Sequence, residues 1–381
     1  MSQNITADWL TDPRAQRVCA ALTSRGHQAY FVGGCVRNTL IGAPVADLDI
    51  ATNAHPDEVT EAAEADGLKA VPTGIDHGTV TIITDGLPVE ITTFRQDVAT
   101  DGRRATVAFG TSLTEDARRR DFTMNALYAD PEGNIVDPLG GLPDLKARIL
   151  RFIEDPATRI KEDALRILRF FRFHAWYGDP AAGLDPDGYA ACAELAPLTD
   201  TLSQERITAE LLKLLAAPDP APSLAAMAQA GLLTRLLPGA DTTAMPVLIA
   251  AEETHGLPPA PLRRLALIGG DTARLRLSRK EAAQLAQTRT ALNDDPNETA
   301  YRHGADIARD AHLVHAALTG APPDPQTLAK LPEAAAQIFP VKAADLPNLQ
   351  GPALGQRLKQ LEADWIASGF TLTKAELLSD P

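Results

Sequence analysis

The sequence is poor in cysteine and aromatic residues and has no long apolar run. Its three cysteines, Cys19, Cys35 and Cys192, are scattered without a pairing pattern, so we expect free thiols in a reducing cytoplasm rather than a disulfide framework. No apolar stretch approaches the ~20 residues of a membrane span. The first residues also lack a basic segment followed by an apolar one. These absences argue against a disulfide scaffold and predict a cytoplasmic protein without a membrane partner.

Positive charge is also scarce. The chain of 381 residues has 36 Lys and Arg against 50 Asp and Glu, a formal net charge of −14. This balance argues against a basic coat for nucleic acid, although it permits a local basic groove. Apolar residues make up 45% of the chain. That share and the length allow about two to four well-packed domains.

The first 150 residues mix helical and strand patterns, and the rest is helical. The spacing predicts helices over 11–25, 33–41 and 56–65, and strands over 28–32, 79–84 and 89–94. The polar segment 97–107 is typical of a mobile loop. We therefore predict an α+β fold. A head with a small mixed sheet (1–150) precedes an all-α neck (151–215) and an all-α body and tail (216–381).

Asp47 and Asp49 are the most informative residues, fourteen positions after the Gly33-Gly34 pair. Residues two apart in a strand face the same side, so both carboxylates would face away from Leu48. Two such charges repel unless a cation lies between them, and oxygen ligands without Cys or His suit Mg²⁺. A glycine turn lets backbone N–H groups approach a phosphate. Each signal alone usually marks a solvated strand end or a turn, but together they predict nucleotidyl or phosphoryl transfer on Mg²⁺.

Glu90 lies in the predicted strand 89–94. A carboxylate on a neighbouring strand would complete a site of three carboxylates, and we take Glu90 as a candidate catalytic residue. An ordinary exposed strand glutamate fits the sequence equally well, so the residues alone leave both interpretations open.

The three consecutive arginines Arg118–Arg120 directly precede Asp121 and an apolar run. Such a cluster is usually a solvated face, but the apolar run anchors this one in the fold. Guanidinium groups bind phosphate oxygens with two parallel hydrogen bonds, and Thr123 and Asn125 can hold a ribose or a backbone turn. We interpret the segment as a triphosphate or sugar site.

A helix is also predicted around 161–173. Its apolar face would comprise Ala164, Ile167, Leu168, Phe171 and Ala175. The remaining arc would carry Asp163, Arg166, Arg169 and Arg172. That arc is either a wet surface with an Asp163–Arg166 ion pair or a set of donors and acceptors for a base edge and phosphates. Without the other motifs, the wet surface would be the simpler choice.

In this order, the segments resemble the class II tRNA nucleotidyltransferase and poly(A) polymerase family, within the DNA polymerase β-like nucleotidyltransferases. The resemblance covers roughly residues 28–215. Its six motifs are Gly33-Gly34-x-x-Arg37, Asp47-x-Asp49, Arg119-Arg120-Asp121-Phe122-Thr123-x-Asn125-Ala126, Asp137-Pro138-x-Gly140-Gly141-x-x-Asp144-Leu145, Glu162-Asp163-x-x-Arg166 and Ser203-x-Glu205-Arg206. Six ordered motifs make the signal specific.

The resemblance implies a role for each position. Asp47 and Asp49 would bind the catalytic Mg²⁺. The nucleotide would be bound by Gly34, Arg37, Arg120, Asp163, Arg166, Arg169 and Arg172. Within this set, Asp163 and Arg166 would read the base edge of CTP or ATP in place of a template. Segment 97–107 resembles the family's flexible loop, which assists the switch from C to A addition.

One residue departs from the family pattern. Asn38 stands where the family usually has an aspartate after the motif arginine. The change removes one charge beside Arg37 and is expected to weaken an ion pair there. The metal ligands are intact, so we expect catalysis to survive.

Two activities share these motifs: addition of CCA to tRNA and addition of poly(A) tails. The acidic, apolar end Glu376–Pro381 differs from the basic C-terminal extension that is usual in the poly(A) branch, so the resemblance favours CCA addition. A non-catalytic RNA-binding relative would not need Asp47 and Asp49. An enzyme that modifies small molecules would need neither the arc on 163–172 nor the long helical body.

The helical body carries isolated pairs of basic residues, such as Arg263-Arg264 and Arg279-Lys280. Such residues can contact the phosphates of a bound RNA, although they are more often simply solvated. The sequence alone leaves both interpretations open.

Overall fold

The computed structural model describes residues 4–75, 78–101 and 104–379. The chain forms two compact units, Met1–Leu202 and Ser203–Pro381. All strands of the described residues lie in the first unit, and the second is built from helices. The α+β fold expected from the sequence is confirmed.

The strands of the first unit are β1 (Ala29–Val32), β2 (Leu48–Thr52), β3 (Lys69–Gly74), β4 (Thr79–Thr84), β5 (Leu87–Thr93), β6 (Arg95–Asp101), β7 (Arg104–Phe109), β8 (Tyr128–Ala129) and β9 (Ile135–Val136). Its helices are α1 (Asp8–Thr11), α2 (Pro13–Thr23), α3 (Gly34–Leu40), α4 (Pro56–Ala65), α5 (Leu113–Arg118), α6 (Leu142–Lys146), α7 (Pro156–Glu162), α8 (Leu165–Tyr177) and α9 (Pro186–Glu194). The predicted helices and strands of residues 11–94 are present, with ends shifted by a few residues at most.

Seven strands form one mixed sheet in the order β3-β4-β5-β2-β1-β8-β9. Only β2 and β5 run parallel, and the other neighbours are antiparallel. The hairpin between β4 and β5 turns at Asp85 and Gly86, both of which have positive φ, as a tight two-residue connection requires. Because the central strands β2 and β5 are parallel neighbours, residues paired between them lie side by side on the same face of the sheet.

One face of the sheet packs on a core that includes Val32, Ala51, Phe94 and Tyr128, all nearly inaccessible to solvent. An aromatic group of Phe122, Phe152, Phe170 and Phe173 lies beside it, with ring centroids 4.9 to 6.3 Å apart. Phe170 and Phe173 belong to α8, so this group packs that helix against the segment after α5. The core thus holds the head and the first neck helices in one unit.

The prediction of a loop over 97–107 is wrong for the described residues of that segment. Strands β6 and β7 pair antiparallel from Arg95↔Phe109 to Asp101↔Arg104 and form a separate two-stranded sheet. Gly102 and Arg103 lie outside the described residues. The segment contains the β-branched residues Val98, Thr100, Thr106 and Val107, a composition pattern that favours strands. Its high polarity concealed that pattern.

The helices of the second unit are α10 (Gln204–Leu215), α11 (Ala221–Gln229), α12 (Leu232–Leu236), α13 (Met245–Thr254), α14 (Pro261–Ile268), α15 (Arg279–Thr290), α16 (Pro296–His303), α17 (Ala305–Thr319), α18 (Pro325–Ala335), α19 (Gly351–Ala367) and α20 (Lys374–Ser379). Proline, or a capping aspartate or serine, begins most of them. In the described parts of both units, every helix is too short or too polar to cross a membrane.

Candidate active site

The two aspartates lie at the start of β2. Leu48 and Ile50 are buried, whereas Asp47 is exposed and Asp49 is half-buried on the opposite side, as the alternation of a strand predicts. Because β2 and β5 are parallel and in register, Asp49 pairs directly with Glu90. The structure thus brings together the three carboxylates singled out in the sequence.

The electrostatics of Asp49 show that this group of carboxylates is under repulsion. Burial and the charges of Glu90 and Asp47 raise the pKa of Asp49 to about 6, against the opposing effect of Arg120. A divalent cation would relieve this repulsion, and carboxylate oxygens are the ligands that Mg²⁺ accepts. Among the described residues, however, no group of three His, Cys, Asp or Glu side chains is placed to hold a metal. Asp47 and Asp49 are the carboxylates that could hold such an ion, and Glu90 is the neighbour of Asp49 across the strands.

The glycine turn connects β1 to α3. Gly33 has φ +70°, which only glycine adopts readily, and a Cβ built on it would lie 3.7 Å from Nη1 of Arg120. Gly34 has an ordinary φ, and a Cβ there would lie 4.0 Å from Nη2 of Arg37. The glycine turn therefore lies within ordinary contact distance of two guanidinium groups, those of Arg120 and Arg37.

Arg37 is buried on α3, with 6% of its surface exposed. Its Nη1 donates to Oδ1 of Asn125, and its Nε and Nη2 donate to Oδ1 of Asn38 at 3.1 and 2.8 Å. The expected weakening at Asn38 is thus limited, because the amide keeps both hydrogen bonds. Its Nδ2 also donates to the carbonyl of Pro44 at 2.7 Å, a bond that an ionised aspartate could not make. Asn38 therefore joins Arg37 to the loop that leads into Asp47.

Arg120 is held by a carboxylate that sequence reasoning missed. Asp116 on α5 is fully buried and accepts from Nε and Nη2 of Arg120 at 3.2 and 3.0 Å. It also accepts from Arg119 at 3.0 Å and from the hydroxyl of Tyr128 at 2.8 Å. Burial opposes ionisation, but the two guanidinium groups prevail and hold the pKa of Asp116 at about 2. Its spacing of three and four residues from the arginines on a helix was a usable signal.

The segment that follows Arg118 is tied to the neck helices by arginines. Arg159 of α7 donates to the carbonyl of Arg120 at 3.0 Å, and Arg166 of α8 donates to the carbonyl of Arg119 at 3.0 Å. Arg169 forms an ion pair with Asp121 at 2.6 Å. These contacts place the predicted base-reading residues directly beside the predicted triphosphate site.

Helix α8 buries more residues than the apolar face predicted from the sequence. Leu165, Ile167, Leu168, Phe170, Phe171, Phe173 and His174 are all buried. The arginines of α8, Arg166, Arg169 and Arg172, are half-buried. The guanidinium carbons of Arg169, Arg172 and, from α3, Arg37 lie within 5.1 Å of the Phe173 ring centroid. Asp163 precedes the helix and accepts from the N–H of Leu165 at 3.1 Å. Arg166 forms an ion pair with Glu162, four residues before it in the chain.

The motif of residues 137–145 stabilises its own turn and the segment around Thr123 by hydrogen bonds. Asp137 accepts from the N–H groups of Gly141 and Leu142 at 2.8 and 3.0 Å, and Asp144 accepts from the hydroxyl of Thr123 at 2.7 Å. A Cβ at Gly141 would lie 2.3 Å from the carbonyl of Thr123. This close approach explains the glycine and fixes the turn that carries Asn125.

Together, a carboxylate pair at the start of the central strand β2, a glycine turn and neighbouring guanidinium groups define a nucleotide-transferring enzyme. Residues 29–151 match the family described as the Poly A polymerase head domain. Residues 183–243 match the one described as probable RNA and SrmB- binding site of polymerase A. The nucleotidyltransferase class expected from the sequence is confirmed.

Similar proteins and solved structures identify the family within the nucleotidyltransferase class. The CCA-adding enzyme of Geobacillus stearothermophilus is 36% identical over 91% of this chain and 90% of its own length. That of Streptococcus gordonii is 44% identical over 53% of this chain and 49% of its own. The crystal structure of the Bacillus stearothermophilus CCA-adding enzyme in complex with CTP aligns with a TM-score of 0.73 at 31% identity, over 93% of both chains. The chain belongs to the CCA-adding enzyme family.

Proposed function

We propose that this protein adds CMP and AMP, from CTP and ATP, to the 3′ end of tRNA without a nucleic-acid template. The observation that carries the proposal is the pair Asp47 and Asp49, with Asp49 in register with Glu90 and subject to the charge of Arg120, which lies beside Gly33. Membership of the CCA-adding enzyme family supports the choice of tRNA, CTP and ATP.

The chemistry is attack of the RNA 3′-hydroxyl on the α-phosphate of the nucleotide, with pyrophosphate as the leaving group. Asp47 and Asp49 would hold a divalent metal ion, which we propose to be Mg²⁺. When bound, the ion lowers the pKa of the hydroxyl and neutralises charge on the triphosphate. Glu90 adds a third carboxylate beside Asp49, which favours the binding of a cation at the aspartate pair. Arg120 and Arg37, on either side of Gly33 and Gly34, hold the phosphates and the sugar.

Base selection is assigned to the neck. Asp163 offers carboxylate oxygens and Arg166 a guanidinium to the base edge, while Arg169 and Arg172 complete the pocket beside Phe173. Arg166 is already bonded to Glu162 and to two backbone carbonyls, so it is held rigidly before a nucleotide arrives. Rigid donors favour a nucleotide whose edge matches them without reorganisation. We also propose the cytoplasm as the site of action, because the three cysteines are free and buried thiols.

The three parts expected from the sequence remain part of this proposal: a catalytic head (1–150), a nucleobase-binding neck (151–215) and a tRNA-binding body and tail (216–381). Poly(A) addition, the alternative, is not favoured by the relatives, which are CCA-adding enzymes.

The test is extension of a tRNA transcript that lacks CCA, with CTP alone, ATP alone and both. We expect two C and one A to be added in order by the wild type. Asp47→Ala should lose the activity by more than about a thousandfold, because the loss of a metal ligand removes several kcal/mol of charge stabilisation.

Asp57→Ala is the matched control, since Asp57 is an exposed aspartate in the first turn of α4; it should retain wild-type activity. Long A tails with ATP alone would replace the proposal with poly(A) addition. An Asp47→Ala protein that is folded and fully active would refute the assignment of the aspartate pair.

A further inference from the structure

We propose that Tyr177 is a positioning residue for Arg37 and takes the place of a carboxylate partner that this arginine lacks. The inference rests on the proposed function, in which Arg37 contacts the incoming nucleotide. The family motif does not include position 177, and Tyr177 is the last residue of α8.

The partners of Arg37 are neutral. Its guanidinium donates to the side-chain oxygens of Asn38 and Asn125, and among the described residues it forms no ion pair. The nearest acid in the network is one step removed: Asn125 donates to Asp121, and Asp121 is itself paired with Arg169. A buried cation without a carboxylate partner is costly, so another group must stabilise its charge.

The Tyr177 ring provides that stabilisation. The Cζ atom of Arg37 lies 3.9 Å from the centroid of Tyr177, closer than the 5.1 Å to Phe173. A guanidinium over an aromatic face is attracted by the ring quadrupole, most strongly when both are shielded from water. Burial lowers the pKa of Arg37, and Tyr177 and Asp121 oppose that shift. Tyr177 opposes the shift through its charge and a side-chain hydrogen bond to Arg37, while its ring face packs on the guanidinium at 3.9 Å.

The missing carboxylate matters for an anionic substrate. A carboxylate would hold the guanidinium of Arg37 in place through its charge, whereas an aromatic face and two amides orient it and leave its positive charge uncompensated. The charge is then available to a phosphate at Gly34, where a Cβ would lie 4.0 Å from Nη2 of Arg37. Tyr177 and Asn38 together thus orient the guanidinium of Arg37, as one aspartate would, without neutralising its positive charge.

The experiment compares Tyr177→Leu, Tyr177→Phe, Asn38→Asp and the double variant Asn38→Asp/Tyr177→Leu. For each we would measure kcat and KM for CTP, the Kd of CTP by calorimetry, and the melting temperature. Tyr177→Leu should raise KM and Kd by about three- to tenfold, the range expected for a partly shielded cation–π contact, with kcat changed less than about twofold. The conservative Tyr177→Phe should restore most of the affinity because it keeps the ring.

The double variant provides the decisive comparison. The substitution Asn38→Asp supplies the missing carboxylate, so adding it to Tyr177→Leu should recover at least about threefold of the lost affinity, most of the cation–π contribution. A Tyr177→Leu protein that melts like the wild type and binds CTP normally would overturn the proposal. So would an affinity loss that Asn38→Asp fails to reduce, since Tyr177 would then not be replacing a charge.

The control is Tyr189→Leu, which removes another half-buried tyrosine of the same unit, packed on Phe171; its CTP affinity should not change. If Tyr177→Leu does not fold, Tyr177→Met fills a similar volume without an aromatic face and is read by the same criteria. The calorimetric Kd also separates the two hypotheses: a wild type that binds CTP but adds nothing to tRNA contradicts the proposed function alone.

Discussion

At the scale of single residues, the charge balance of the site depends on Asp116. This buried carboxylate binds Arg119, Arg120 and Tyr128, and Arg120 in turn lies beside Gly33 and acts on Asp49. Two of the three donor nitrogens of Arg120 are occupied by Asp116, which leaves Nη1 directed at the glycine turn. Asp116 therefore orients Arg120, which we propose binds a phosphate of the nucleotide.

The depressed pKa of Asp116 predicts an acid-dependent stability. Its pKa falls from 3.8 to about 2 on folding, so the ionised form stabilises the native state above pH 4 and this contribution disappears as the pH falls from 4 to 2. Asp116→Asn should lower the free energy of unfolding at pH 7 by about 2 kcal/mol. The measurement is the free energy of unfolding of both proteins, from urea denaturation at pH 7, 5 and 3.

The difference between wild type and Asp116→Asn should be equal at pH 7 and 5 and smaller at pH 3. Asp57→Asn serves as the comparison, because Asp57 is exposed and such substitutions usually change stability by less than about 0.5 kcal/mol. A difference that stays constant down to pH 3 would show that the carboxylate charge is not what stabilises this site.

At the scale of elements, two pairs of basic residues in the second unit have opposite environments. For Arg263 and Arg264 on α14, both sequence interpretations, phosphate contact and solvated surface, are wrong, because each residue is 1–2% exposed. They pair with Glu252 of α13 at 2.7 and 2.6 Å, and Arg263 also pairs with Asp310 of α17 at 2.8 Å. Arg279 and Lys280 on α15 are exposed.

Arg264→Ala should therefore destabilise the second unit by ~3–5 kcal/mol, the usual cost of removing one partner of a buried ion pair, although Arg263 still pairs with Glu252. Arg264 also donates to the carbonyls of Leu215, the last residue of α10, and of Ala217, and these would lose their donor as well. Thermal unfolding followed by circular dichroism is the measurement. Arg279→Ala is the control and should unfold as the wild type does; equal effects of the two substitutions would contradict the buried role.

At the scale of the whole molecule, the net charge of −14 must be reconciled with a polyanionic substrate. The overall field repels tRNA, so binding must depend on local contacts between basic residues and phosphates. Exposed residues such as Arg279 and Lys280 are candidates for those contacts.

The KM for tRNA should then rise steeply with salt. Each phosphate neutralised releases about 0.7–0.9 of a counterion, so two or more contacts weaken binding by about tenfold between 50 and 200 mM KCl. The KM for CTP, measured at saturating tRNA, is the internal control and should change less, because the arginines proposed to bind its phosphates, Arg37 and Arg120, are buried and half-buried and so are screened less by salt. A tRNA KM that is insensitive to salt would exclude phosphate contacts as the main source of affinity.

The sequence by itself determined the mixed head, the helical remainder and most of the candidate site. Local spacing carries this information: alternation placed Asp47 and Asp49 on one side of β2, and contiguous motifs marked Arg37, Arg120 and the start of α8. These signals are readable because each depends on residues a few positions apart in the chain.

Tertiary structure alone decided which distant side chains meet. Sequence spacing cannot place Tyr177 over Arg37, join Asn38 to Pro44, or bury Arg264 against Glu252, since each contact joins residues from different elements or loops. Sequence spacing also could not show that β6 and β7 pair with each other. A polar segment has the composition of a loop, and only the pairing partner identifies it as a strand. Local patterns specify helices and strands, whereas burial and charge compensation are set by packing among them.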